Sequence, residues 1–345
     1  MARQLINALE NAGADVRLAS EVRMYTRTPS AERLNTLKSA ASTEAKRLIA
    51  AWRNEGWRPD VWFSYHPYYK APDFIGPIIA RHFGIALATA EASYAERRAT
   101  GPWASWHAGN LECLRAAHCH FTMTARDKRG LQAMPGLTAD LIDLPPFIDT
   151  ADFASNTGAN IVTGAVRLVT VAMMRNDVKY ESYQFLCHSL TQLNHIEWTL
   201  DVVGDGNARP IIERNFDEFL PQRATWHGRL ERAGIIEVLK HANLFVWPGI
   251  GEAYGLAFLE AQAMGLPVVA LDNAGVPEVV RHGETGILTP IGSVGAYSQA
   301  IANYIGHHGL LKQHGKQARA FATQERDMTG ASRRLFRGLQ RAVLT

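Results

Sequence analysis

The stretch Pro248-Gly249-Ile250-Gly251-Glu252-Ala253-Tyr254-Gly255-Leu256-Ala257-Phe258-Leu259-Glu260-Ala261-Gln262-Ala263-Met264-Gly265-Leu266-Pro267-Val268-Val269-Ala270 decides how the chain is read. It runs as a strand end, a glycine-rich loop, a helix, a tight turn and a buried strand. Such a loop opens outside the carboxyl ends of the strands, where open α/β sheets bind their ligands. With a helix beginning near Gly255, first-turn amides make an anion site, and the missing glycine side chains let a diphosphate approach the backbone. Glu252 then precedes the helix, and Glu260 lies roughly 8 Å inside it at 1.5 Å per residue. A carboxylate accepts from two adjacent hydroxyls, so one glutamate suits a sugar and the other a ribose. Either one taken alone reads equally well as a solvated glutamate in the first turns of a helix.

Working outward, strands are expected at 167–172, 198–203, 223–227, 243–247, 267–270 and 286–288, each followed by a turn or helix, which makes a complete doubly wound domain. Before it, a helix at 2–12 ends at Gly13 and Val16 to Ala19 reads as a short strand. A strand at 60–64, a helix at 73–82 and a strand at 85–89 follow, an alternation that suggests a parallel sheet. Residues 151–165, small and polar without helical periodicity, read as a linker. Two domains result, 1–155 and 160–324, in keeping with a chain of 345 residues. A terminal helix over about 325–345 is expected to pack back, with Leu335, Leu339 and Val343 along one face. Its Arg333, Arg334, Arg337 and Arg341 are either simply solvated or meet anionic lipid, a peripheral membrane contact.

A hydrophobic fraction of 47% and a charged fraction of 20% supply two cores, and a formal charge of +3 is too small to imply a nucleic-acid partner. Three widely spaced cysteines, Cys113, Cys119 and Cys187, argue against a disulfide framework. His118-Cys119-His120 alternates across a strand and needs further ligands to hold a metal, so no metal site is expected there. No apolar run reaches the ~18 residues of a membrane span and no signal-peptide layout opens the chain, which gives a cytoplasmic expectation.

The loop and helix around Glu252 and Glu260 resemble the Glu-x7-Glu signature of retaining GT-B glycosyltransferases, the large glycosyltransferase family 4-like group (glycosyl transferases group 1). The likeness continues through Asn273-Ala274-Gly275-Val276-Pro277-Glu278, Gly283 and Gly286-Ile287-Leu288. Backward it takes in Val203-Gly204-Asp205-Gly206 and His227-Gly228-Arg229-Leu230, so it spans roughly residues 166–290. The resemblance implies two Rossmann-like doubly wound domains facing a cleft. It implies that Glu252 holds donor-sugar hydroxyls, that Glu260 holds the ribose, and that amides near Ala253, Tyr254, Gly255 and Leu256 hold the distal phosphate. Gly204 and Gly206 would line the donor site, and Gly228, Arg229 and Leu230 would lie against the base. Arg175 and Lys179 would neutralise the leaving diphosphate without a metal ion, completing a catalytic set with Glu252. The implied reaction retains configuration at the anomeric carbon, the leaving phosphate helping to deprotonate the incoming hydroxyl. Glu252 then orients the donor and is no nucleophile.

The first half resembles the family loosely. Relatives begin with a strand and a glycine-rich loop, whereas this sequence starts at the following helix, so its first domain is expected to lack that strand. Where relatives often place a histidine, Glu91 stands; His66 follows an earlier strand. Both are candidate acceptor-side residues, and each reads equally as a hydrogen-bonded loop residue. Tyr94, Arg97, Arg98, Trp103 and Trp106 could contact an acceptor, line a lipid surface or cap the core. The expected function is a nucleotide-sugar-dependent glycosyltransferase, acting on a glycan or lipid-linked acceptor in cell-surface polysaccharide or glycolipid synthesis. A GT-B nucleotide-sugar epimerase and a catalytically silent nucleotide-binding relative are the alternatives.

Overall fold

In a computed structural model of the chain, residues 1–154 and 164–344 are described, and most of the expected linker lies outside them. The chain forms two compact units: unit 1 comprises Met1–Pro145 and Thr329–Thr345, and unit 2 comprises Pro146–Met328.

Unit 1 opens with α1 (Ala2–Asn11) and α2 (Ala31–Glu55), then alternates β1 (Val61–Tyr65), α3 (Gly76–Phe83), β2 (Ala86–Ala90), α4 (Ala104–Ala116), β3 (Cys119–Thr122), α5 (Ala125–Gln132) and β4 (Asp140–Asp143). The 25-residue α2 was not expected from the sequence. Ser30 caps it by accepting from the Arg33 amide, and Gly56 ends it in a left-handed conformation. Its buried Leu34, Leu37, Ala41, Ala45, Leu48 and Trp52 recur every three or four residues and pack with Phe74, Ile79, Leu87 and Trp106 into the core. The four strands are parallel and lie in chain order, β1-β2-β3-β4.

Unit 2 runs α6 (Ala151–Ala154), β5 (Val166–Val171), α7 (Val178–Thr191), β6 (Trp198–Val203), α8 (Arg209–Phe219), β7 (Ala224–Gly228), α9 (Arg232–His241), β8 (Leu244–Val246), α10 (Leu256–Ala263), β9 (Val268–Leu271), β10 (Gly286–Thr289), α11 (Val294–Gly306) and α12 (His308–Ala320). All six expected strands form here, in the order β10-β9-β8-β5-β6-β7 and parallel throughout. The order reverses between β5 and β8. A reversal of this kind opens a crevice between the loops that leave the two strands.

Two expectations need correction. Val16 to Ala19 is not a strand: the segment makes no ladder, and β1 stays the edge of its sheet. Instead, the segment lines a cavity of about 1090 Å³ together with α1, β1 and the closing helix, α13 (Met328–Leu344). On α13 the buried stripe is Ala331, Leu335, Gly338 and Ala342, while Val343 is about half exposed. Gly338 explains the shift: a Cβ there would lie 2.6 Å from Ile142 and 2.7 Å from Phe121, so the missing side chain lets the helix settle onto unit 1's strands. Of the alternatives open for Tyr94 and Trp106, burial favours the core. Trp103 meets Tyr69 edge to face, ring centroids 5.0 Å apart, with Arg98 over the same tyrosine ring.

No helix among the described residues is long and apolar enough to cross a membrane. Among them, too, no group of three or more His, Cys, Asp or Glu side chains could hold a metal ion. His118 accepts from the Leu87 amide through Nδ1, and His120 Nδ1 lies 2.7 Å from Thr89 Oγ1, so both rings serve the sheet.

Candidate active site

The loops after β5 and β8 bring Lys179 and Glu252 together. After β5 the chain turns through Arg175 to Asp177, whose side chain caps α7 by accepting from the Lys179 amide. The cap puts Lys179 in the first turn of α7, beside the loop that follows β8. There Lys179 Nζ donates to Glu252 Oε1, with both side chains largely buried (12% and 18% exposed). Trp247 Nε1 donates to the same oxygen at 3.1 Å, and the ammonium sits 5.6 Å from the Trp247 ring. A buried charge pair of this sort survives desolvation only when further hydrogen bonds hold it, which Trp247 provides. Sequence reading had not singled out Trp247. A large apolar residue ending a buried strand gives no sign that its N–H will aim at a carboxylate.

Arg175 takes a different course. It pairs with Asp177 at 3.2 Å and stays half exposed, so of the two candidate cations Lys179 is the one placed on Glu252.

Backbone shape fixes the loop after β8. Gly249, Gly251 and Gly255 all have positive φ. A Cβ on Gly255 would meet the Phe258 ring at 2.7 Å. Asn273 Nδ2 donates to Gly249 O at 3.1 Å, and Ser182 Oγ accepts from the Ile250 amide at 3.1 Å. Thus α7 and the loop after β9 clamp it from both sides. The helix α10 starts at Leu256 with Gly255 at its N-cap, as expected, and a helix start leaves its first amides without intrahelical acceptors. Tyr254 is buried and Ala253 exposed.

Glu260 lies in the second turn of α10. Burial raises its pKa above the ordinary carboxylate value, and the nearby Arg232 guanidinium opposes that shift. Arg232 is also tied to Asp152 and to the Asp149 carbonyl. It is a second residue that sequence reading missed, since a lone arginine opening a helix looks like any solvated charge.

Gly204 and Gly206 lie where the loop after β6 presses on the loop after β5. A Cβ on Gly204 would stand 1.9 Å from the Ala172 carbonyl oxygen, and one on Gly206 would stand 2.3 Å from that of Met174. The Gly204 amide also donates to Gly228 O at 2.8 Å, which joins the loop after β7 to the same layer. Arg229 beyond it is exposed and Leu230 half-buried. The glycines therefore let three loops pack backbone to backbone.

In unit 1, His66 follows β1 and Glu91 follows β2, both with positive φ (57° and 56°). His66 Nδ1 is 3.7 Å from Glu91 Oε1, and Glu91 is 7% exposed.

A crevice at a strand-order reversal, framed by glycines and bearing one held lysine–glutamate pair, has groups of the kind that take phosphate and hydroxyls. Residues 165–307 match the family described as Glycosyl transferases group 1. The matched residues all lie in unit 2. An exopolysaccharide phosphotransferase of Streptomyces coelicolor is 35% identical over 137 residues, covering 38% of this chain and 14% of that protein. A D-inositol 3-phosphate glycosyltransferase of Gordonia bronchialis is 32% identical over 123 residues, covering 35% of this chain and 27% of its own length. The chain thus matches well under a third of either relative. Among solved structures, a glycosyltransferase from Rickettsia africae superposes with a TM-score of 0.69 at 15% identity, covering 87% of this chain and 80% of that one. Anabaena HepE in complex with UDP gives 0.67 at 17% identity, covering 92% and 85%. At such identities the likeness is one of fold: GT-B, with two Rossmann-like α/β domains around parallel sheets of four and six strands.

Proposed function

We propose that the chain is a metal-independent retaining glycosyltransferase that takes a hexosyl group from a nucleotide-sugar and passes it to a hydroxyl of a glycan or lipid-linked acceptor. Its setting is cell-surface polysaccharide or glycolipid synthesis on the cytoplasmic side. The observation that carries the reading is the Lys179–Glu252 contact at the β5/β8 reversal, beside the glycine-framed start of α10. In this reading Glu252 orients donor-sugar hydroxyls and Glu260 takes the ribose. The amides of α10 and the Lys179 ammonium stabilise the charge that grows on the leaving diphosphate. Gly228 to Leu230 lie against the base. Matched relatives named as glycosyltransferases and a structural neighbour bound to UDP support it.

Calorimetric titration of the full chain with UDP, GDP and ADP, without metal, tests this. One nucleotide is expected to bind at micromolar Kd and to bind about tenfold more weakly to Glu260→Ala, a loss of about 1.4 kcal/mol. Absence of binding by all three would remove the donor site from unit 2.

A further inference from the structure

Trp247 follows β8 directly and is 2% exposed. Its backbone continues the pairing of β8 with β9, the amide donating to Val269 O at 3.1 Å. Its ring meets Tyr183 of α7 edge to face, centroids 4.9 Å apart, and the Tyr183 hydroxyl donates to Ala172 O at 2.9 Å, just past the end of β5. A close-packed ring held in this way sends its N–H in one direction. Glu252 Oε1 lies there at 3.1 Å, and the same oxygen accepts from Lys179 Nζ. Both donors therefore fall on one carboxylate oxygen, and Oε2 takes neither. The Lys179 ammonium closes a triangle, 5.6 Å from the centre of the Trp247 ring.

We propose that Trp247 is a positioning residue for glycosyl transfer: its indole N–H keeps hold of Glu252 when the donor diphosphate draws the Lys179 ammonium away, so that Oε2 stays presented to the donor sugar. The inference rests on the transferase reading, in which Lys179 meets the diphosphate and Glu252 meets the sugar. Those two assignments pull on one ion pair. Without donor, Lys179 and Glu252 neutralise each other; with it, the lysine faces a diphosphate that carries more charge than one carboxylate. A carboxylate that is only 18% exposed and loses its cation is costly to leave without another donor. The indole N–H is that donor. It is neutral and fixed by Tyr183, so the diphosphate does not draw it as it draws an ammonium. The ring face attracts the cation whichever anion it meets, so one side chain serves both members of the pair.

The test compares the full chain with Trp247→Phe, which keeps an aromatic ring and removes the N–H. Calorimetry with UDP, GDP and ADP finds the nucleotide that binds. UDP-glucose, GDP-mannose or ADP-glucose then serves as the donor of matching base, and transfer to water is followed as release of nucleoside diphosphate. Trp247→Phe is expected to bind the nucleotide within about threefold of the parent but to turn over about 10 to 100 times more slowly at saturating donor, as for loss of a hydrogen bond to a charged group. A residue that only packs the core would lower both together. Labelling with 15N-tryptophan gives a reading that needs no turnover. The Trp247 indole resonance, identified by its loss in Trp247→Phe, is expected to keep its hydrogen-bonded position when nucleotide is added and to move in Glu252→Gln, where the acceptor becomes neutral. The inference is overturned if nucleotide shifts that resonance to the position of an unbonded indole, if Trp247→Phe turns over as fast as the parent, or if it loses nucleotide affinity as steeply as turnover. Should Trp247→Phe not fold, or the parent release no diphosphate, the shift in Glu252→Gln assigns the resonance and the nucleotide titration decides. A parent that binds no nucleotide sinks the transferase reading itself, an outcome that calorimetry reports before any variant is made.

Discussion

The two units are built from the same α/β repeat and organise their strand ends differently. In unit 2 the strand order reverses between β5 and β8, and loops from both sides of the reversal meet around one buried ion pair, Lys179 with Glu252. In unit 1 the four strands keep chain order, and their ends carry an imidazole and two carboxylates but no buried lysine–carboxylate pair like it among the described residues. Strand order thus goes with a different set of groups at the strand ends: an ion pair held by Trp247 in one unit, an imidazole facing a carboxylate in the other.

The largest effect that would test this contrast is steric. Gly204→Ala drives a methyl group into the Ala172 carbonyl oxygen, whereas Gly84→Ala in unit 1 puts one into open space at φ +59°. The first is expected to cost more than about 4 kcal/mol and to abolish protection of unit 2 from proteolysis. The second is expected to cost about 1 to 2 kcal/mol from backbone strain alone. Equal losses would mean that the glycine layer is not what holds unit 2's loops.

Next in size is the ion pair. Lys179→Ala is expected to lower glycosyl turnover by about 10² to 10³, the usual consequence of removing one stabiliser of transition-state charge. Arg175→Ala, at an exposed side chain paired with Asp177, should cost much less. Assays with the nucleotide-sugar identified by calorimetry would show whether the ranking holds, and a reversed ranking would move the catalytic charge to Arg175.

Acid separates the units as well. His120, fully buried on β3, has its pKa pushed down to about 4 by burial. The native state therefore binds fewer protons than the unfolded chain between about pH 6.5 and 4. Stability of unit 1 is full above that window and falls through it, by on the order of 3 kcal/mol. In unit 2, Glu260 has a raised pKa, so its contribution runs the other way: present at low pH and lost as pH climbs through the raised value. Melting curves against pH should flatten for unit 1 in His120→Asn and show a smaller change of opposite sign in Glu260→Gln. A parent unit 1 whose melting point does not move between pH 7 and 4 would contradict the burial argument.

How legible these features were in the sequence depends on what kind of residue carries them. Buried parallel strands are short runs of Val, Leu and Phe, and all six of unit 2 were readable within a residue or two, as at Trp198–Val203. The glycine-rich turn before Leu256 was readable because a positive φ leaves few residue choices. By contrast, α2 hid because small residues, Ala41 and Ala45, stand in its buried stripe, and β3 and β4 are only four residues each. Val16 to Ala19 has the composition of a strand, but pairing is decided by a partner that composition does not name. Lys179 with Glu252 could be anticipated as two members of one motif. Trp247 and Arg232 could not, because each reaches its carboxylate through a side-chain direction set only by the packed structure.

One further consequence follows from Gly338, through which the last helix settles onto β3 and β4. Unit 1 is discontinuous: residues 1–145 are made before unit 2 and its helix α13 after it. Domains commonly fold as they emerge, the N-terminal one first. Here that order is inverted, since the later unit is contiguous and can complete itself while the earlier one still waits for its final piece. During every round of synthesis the aromatic Phe121 and the aliphatic Ile142, which α13 covers in the finished protein, must stay uncovered for the time it takes to translate some 180 residues, about 10 to 40 s at ordinary elongation rates.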